Sequence, residues 1–317
     1  MKTSTTFAFL SLTLFCTSVA YADPFGSGLN SFDIEFVDIG SPGNAADTTG
    51  DPNPVGSVAQ SYRIGKFEIS RDMILKANAE GGLGIALPDM SLFGGNGVNR
   101  PATGTTWFEA AQFVNWLNTS TGNAPAYNFD GGGNFQLWQP GDAGYDPNNL
   151  FRSSVATYFL PSLDEWYKAA YYDPTSGVYF DFPTGSDTAP TAVTGGTAAG
   201  TAVFDQALLF TGPADITQAG GLSPFGTMGQ GGNVWEFQET ELDLINDSTS
   251  STRSVRGGFW NSTSFFLSTS VQSGGDPTAG SNSVGFRVAS VSVPEPSSLL
   301  LGVLGAVGLL LWRRVSR

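Results

Sequence analysis

RPATGTTWFEAAQFVNWLN, residues 100–118, is the stretch on which the fold turns. Thr106 followed by Glu109 is a capping box: the hydroxyl can accept from the backbone N–H of residue 109 while the carboxylate reaches back to that of residue 106. Behind it Trp107, Ala110, Ala111, Val114 and Leu117 recur at helical spacing, so one face is apolar and must be covered. The device repeats in YFLPSLDEWYKAAYY, residues 158–172. There Ser162 and Glu165 form the box, Pro161 fixes the entry, and Leu163, Trp166 and Ala170 turn inward.

Toward the N-terminus, FDIEFVDI (32–39) and SYRIGKFEI (61–69) alternate and predict two strands. Ser70 then N-caps a helix over 71–79, stopped by Gly81-Gly82. Residues 41–58 are a Gly/Pro/Asp loop. Beyond the first capping box, residues 126–149 predict a hairpin and loop, and 173–224 a long irregular stretch of Thr, Gly, Ala and Pro. Strand candidates follow at 234–238, 254–260 and 285–291. No internal repeat is present. The pattern predicts an α+β domain of short strands, few helices and long loops.

Both ends read as export signals. Lys2, the apolar run 7–15 and Ala20-Tyr21-Ala22 predict a secretory signal peptide over 1–22, cut before Asp23. At the other end Val293-Pro294-Glu295-Pro296 is followed by a 16-residue apolar run, 297–312, and then by Arg313-Arg314. The run is short of the roughly 20 residues of an ordinary spanning helix. The arginines stay cytoplasmic by the positive-inside rule. A transmembrane helix is expected there, with domain boundaries at 1–22, 23–291 and 292–317.

Composition narrows the chemistry. The exported part carries 10 basic against 28 acidic residues, a net charge of −18, which repels nucleic acid and anionic membrane. Histidine is absent, and the single cysteine, Cys16, lies in the signal peptide. Ser-His-Asp and Cys-His nucleophiles are excluded, as are histidine zinc sites and thiolate metal sites. A glycosidase needs two facing acids. Asp164 and Glu165 sit at a helix N-terminus, where the dipole favours acids, and Glu239 and Glu241 read as solvated, so no pair is marked.

Five blocks in order resemble the sulfatase-modifying-factor family, which includes the formylglycine-generating enzymes: residues 100–118, 158–172, GGNVWEF (231–237), RGGFWN (256–261) and VGFRVAS (284–290). The resemblance spans residues 30–291 and implies a variant of the C-type-lectin-like fold. The C-terminal pattern resembles the PEP-CTERM sorting tail of Gram-negative bacteria, which implies recognition by an exosortase-type membrane enzyme. The family's oxidase chemistry implies copper on two cysteines just after the Arg-Gly-Gly block. Here the counterparts are Leu267 and Gln272, neither a thiolate, and a late structural cysteine corresponds to Val288. Iron on histidines, as in the related sulfoxide synthases, is excluded by the absence of histidine.

Calcium remains as a cofactor to test. The resemblance implies backbone oxygens at Gly232 and Val234 and the carboxylate of Glu236, with Gly229 where a ligating side chain is expected. A second family site falls on Ala202-Val203-Phe204, which lacks its asparagine. Asn128-Phe129-Asp130-Gly131-Gly132-Gly133-Asn134 alternates oxygen donors but lacks a closing Glu and reads as a glycine-rich turn. The expected function is a non-catalytic module binding polysaccharide or a surface protein at the cell envelope. Its expected groove residues are Trp235, Arg256, Trp260 and Arg287, whose aromatic faces stack on sugars and whose guanidinium groups fork to carboxylates. Ser264 and Ser268 lie where the cysteine chemistry would be. The alternatives are an oxidoreductase with other metal ligands and a passive structural matrix protein.

Overall fold

Three helices form where their caps predict. In this computed structural model, which describes residues 21–292, α1 (Arg71–Gly81) begins at Ser70, whose Oγ accepts from the Met73 N–H at 3.2 Å. It ends at Gly82 in the left-handed region, φ 63°. α2 (Trp107–Ser120) and α3 (Leu163–Tyr171) each open on a complete capping box, Thr106 with Glu109 and Ser162 with Glu165. All five residues predicted to line the inner face of α2 are buried, as are Leu163, Trp166 and Ala170 of α3.

The larger sheet runs β1 (Tyr21–Phe25), β2 (Phe32–Ile39), β3 (Tyr62–Gly65), β15 (Ala289–Val291) and β6 (Tyr158–Phe159), every neighbour antiparallel. The smaller runs β13 (Ser273–Gly275), β12 (Arg253–Arg256), β11 (Trp235–Glu241) and β14 (Val284–Phe286), with the β11–β14 pair parallel. Three two-residue ladders lie in the loops: β4 (Asn128–Phe129) with β5 (Phe135–Gln136), β7 (Tyr172–Asp173) with β8 (Val178–Tyr179), and β9 (Thr191–Ala192) with β10 (Thr201–Ala202). Mixed helix and strand with few helices is as expected. The predicted transmembrane helix, the signal peptide up to residue 20 and the tail from 293 lie outside the described residues. Among those described, no helix is long and apolar enough to cross a membrane.

Three differences from the sequence pattern have physical causes. The strand predicted over 285–291 divides into β14 and β15, because the chain crosses from one sheet to the other at Arg287-Val288. Gly65 N–H donates to Val288 O there at 2.7 Å. The strand predicted over 254–260 stops at Arg256, because Gly257 and Gly258 take φ values of 99° and 75°. A Cβ on Gly257 would come within 2.7 Å of Gln230 O, so only glycine passes there. Tyr21 and Ala22 belong to β1, where they pair with Phe36 and Glu35. A chain cut after Ala22 keeps Asp23, Pro24 and Phe25 in that strand.

The main core packs α1 and α2 on the larger sheet around Phe36, Ile64, Trp107, Phe113 and Phe286. A second cluster lies under α3, with Trp166, Tyr167 and Tyr171. The junction between the sheets is polar, and the site expected from sequence falls on it.

Candidate functional site

Arg287 stands at the crossover between the sheets and is fully buried. Its Nε and Nη2 donate to the two carboxylate oxygens of Glu236, each at 2.6 Å. Nη1 donates to Gly65 O at 2.8 Å and Nη2 to Met228 O at 2.9 Å. Trp166 Nε1 donates to Glu236 Oε2 at 2.7 Å. Thus α3, β11 and the end of β3 are joined by one fully satisfied ion pair, the arrangement that makes a buried charge tolerable.

Arg256 is buried in the same way. Its guanidinium donates to Asp51 O and, at 2.8 Å, to Thr269 O, and lies 4.9 Å from the Tyr167 ring centroid. It ties the loop over 47–55 to the segment after β12. Trp260 is 1% exposed, among Met90, Val203, Ala214 and Val234. The expectation that Arg256, Trp260 and Arg287 line an open groove is therefore corrected: all three are interior scaffold. A strand-borne Arg or Trp satisfies the same motif whether it faces a ligand or the core, and only the contacts decide.

The calcium expectation meets the same geometry. Both Glu236 oxygens are engaged by Arg287 and Trp166, so the carboxylate of the Gly232, Val234 and Glu236 set is not free to ligate. At Gly229 the place of a ligating side chain is taken by Glu68, whose carboxylate oxygens lie 2.8 Å from where a Cβ would stand. Burial, reinforced by the Glu236 charge and opposed by Arg287 and by a hydrogen bond from Asn233, pushes the Glu68 carboxyl up to about 8. Among the described residues no three His, Cys, Asp or Glu gather in a metal-binding group. With its oxygens bound to Arg287 and Trp166, Glu236 is withdrawn from the expected set.

The positions corresponding to thiolates are filled otherwise. Leu267 is fully buried with Ala202 and Phe204, and its carbonyl accepts from Tyr171 Oη at 3.1 Å. Gln272 Nε2 donates to Ser254 Oγ at 3.2 Å. Val288 is fully buried, Ser264 is half-buried, and Ser268, also buried, donates from Oγ to Phe265 O at 2.8 Å. Asp130 accepts from the Gly132 and Asn134 N–H groups, which makes the glycine-rich segment a hairpin turn. Glu239 and Glu241 are buried rather than solvated. Glu239 accepts from Tyr127, Asn149 and Arg152, and Glu241 from the Asp247 and Ser248 N–H groups. A strand that runs into the interior with acids on it needs such donors.

Trp235 alone of the four expected groove residues reaches the surface. It is half-buried, and its ring meets that of Phe266 edge-on at 5.8 Å and 76°. Phe266 in turn meets Phe265, and the two are 38% and 60% exposed. Trp235 also borders a cleft of about 300 Å³ walled by Ser273, Gly274 and Gly275 of β13 and by Asp276. β13 is the sheet's edge, paired on one side only, to β12. Hydrogen bonds from the Thr278 hydroxyl and N–H hold the Asp276 carboxyl below the usual carboxylate range. The rim thus offers aromatic faces, a strand edge and one ionised acid. Sequence reasoning missed Phe265 and Phe266; the available signal was an apolar pair inside a Ser/Thr-rich segment.

Comparison with known proteins gives a consistent result. The profile of the sulfatase-modifying factor enzyme 1-like domain matches residues 43–291, and that of the PEP-CTERM protein-sorting motif matches 292–315. Among solved structures, Treponema denticola variable protein 1 is similar at TM-score 0.59 and 16% identity, covering 86% of this chain and 100% of that one. CarF is similar at 0.59 and 18%, covering 82% and 99%. PvdO from Pseudomonas aeruginosa gives 0.51 and 14%, covering 85% and 98%. At these identities the likeness is one of fold. No curated protein sequence matches the chain.

Proposed function

The chain belongs to the sulfatase-modifying factor enzyme 1-like family and carries a PEP-CTERM sorting motif that implies export to the envelope of a Gram-negative bacterium; from that premise we propose that the domain is a non-catalytic binding module. Its ligand is an extended polysaccharide of the cell surface or matrix, taken across Trp235, Phe265 and Phe266 beside β13. The exposed Phe265–Phe266 pair against half-buried Trp235 carries this reading. Aromatic rings kept at the surface, in a chain with enough core to bury them, offer flat apolar faces to sugar rings. Leu267 packed into the core where the family's oxidase would need a thiolate supports the absence of that chemistry.

Titration calorimetry of the full chain against the producer's own exopolysaccharide tests this. Saturable binding that falls about tenfold in Trp235→Ala is the expected result, the usual effect of removing an aromatic anchor. No saturable heat, or binding indifferent to Trp235→Ala and Phe265→Ala alike, would sink the polysaccharide reading and favour a surface-protein partner or a structural role.

A further inference from the structure

The folded domain ends where the sorting motif begins. The domain profile stops at residue 291 and the motif starts at 292, which is also where β15 ends. β15 is an interior strand, paired to β3 through Ala289, Ser290 and Val291 and to β6 through Ala289 and Ser290. Val291 N–H donates to Thr157 O at 3.0 Å. Arg63, 3% exposed, pins it further: Nε donates to Ser290 Oγ at 2.9 Å, while Nη1 and Nη2 hold the Asp23 carboxylate of β1 at 3.0 and 2.7 Å. The exit point is fixed from both sides, and no spacer follows it.

Chain reach then sets what must touch what. An extended chain covers at most about 3.6 Å per residue, so any five residues after Val291 reach no farther than roughly 18 Å from it. A domain of about 270 residues is some 45–50 Å across from its expected radius of gyration. Any enzyme that grips residues 293–296 therefore lies against the domain surface around Val291.

That surface is a cleft of about 630 Å³, with Gln60, Ser61, Asp146, Ser154, Val291 and Ser292 on its walls. At its floor Arg152 lies 3.8 Å over the Phe159 ring, its charge neutralised by Glu165 and Glu239. Hydroxyls, an amide and an acid form the rim.

We propose that this cleft rim is the docking surface for the membrane enzyme that recognises the sorting tail. The partner is a polar, hydrogen-bond-donating face carried next to that enzyme's tail-binding groove. The inference rests on residues 292–315 being a sorting motif and is independent of any ligand at Trp235. Recognition is then a two-part event, tail in groove and rim against enzyme, and tail removal depends on surface residues far from the motif in sequence.

The test uses the full chain expressed in its producer, with the fraction of tail-processed protein read by intact mass. Ser61→Arg and Ser154→Trp alter exposed side chains and are expected to lower that fraction about tenfold by clash. Gln60→Arg is a second, independent variant. A spacer of about twelve Gly/Ser residues after Ser292 adds roughly 20 Å of mean reach, parts the rim from the enzyme, and is expected to lower processing of the otherwise unaltered chain to the level of the variants. Unchanged processing in all three variants, full processing of the chain that carries the spacer, or no tail removal from the unaltered chain would each overturn the proposal.

Discussion

Trp235 and Glu236 are adjacent in β11 and have opposite fates. Glu236 faces inward, bound by Arg287 and Trp166, with no exposed surface. Trp235 faces the rim, half-covered, with its edge on Phe266. Successive residues of a strand point to opposite faces, so one dipeptide supplies both the polar junction of the scaffold and the aromatic edge of the candidate site. Buried charge here marks architecture, and the uncovered aromatic surface carries the proposed recognition.

Five substitutions test that contrast. Arg287→Met leaves Glu236 buried beside Glu68 without its cation and is expected to cost about 3–5 kcal/mol in urea unfolding. A loss below ~1 kcal/mol would mean that the junction is not scaffold. Arg152→Met is expected to cost roughly 3 kcal/mol at pH 7, since Glu165 and Glu239 both lose their partner.

The Arg152 effect carries a pH signature. Burial alone raises the Glu165 carboxyl, but the Arg152 charge and the hydrogen bonds from Arg152 and Ser162 outweigh it and hold the group below the ordinary glutamate value of 4.5. A lowered carboxyl contributes stability that is present above the unfolded-state value and is lost as pH falls through the folded one. The gap between wild type and Arg152→Met should therefore be widest at neutral pH and narrow below 4.5. A gap independent of pH would break the assignment.

Leu267→Ala comes next, at about 2–4 kcal/mol in thermal or urea unfolding, because it empties a filled core position under Gly258. Trp235→Ala is expected to cost about 1 kcal/mol of stability but about tenfold in ligand affinity. Phe265→Ala is smallest for the fold, within ~0.5 kcal/mol, while still weakening binding in calorimetry. Equal stability losses at Phe265 and Leu267 would erase the distinction between rim and core.

Much of the fold was legible locally. Thr106 with Glu109 and Ser162 with Glu165 fall on helix starts because a capping box is made within four residues of chain. The alternation of 32–39 survives as β2 because one face meets the core. Legibility failed where partners are distant. Arg287 draws its hydrogen bonds from residues 65, 228 and 236, and no window around VGFRVAS contains them. Glu239 reads as a solvated acid beside Thr240 and Glu241, yet its donors come from residues 127, 149 and 152. Glu68 attracted no notice in sequence and proves to occupy the space that Gly229 leaves open.

By itself the sequence determined the helix starts, the family, the sorting motif and the absence of imidazole and of any thiol beyond Cys16, since each is a property of residue identity or of short spacing. Tertiary structure alone decided which Trp and Arg are interior, that Glu236 is bound to a guanidinium, and that β15 ends beside a polar cleft. The physical reason is that burial and charge pairing are sums over contacts between segments far apart in the chain, and a linear string does not order those distances.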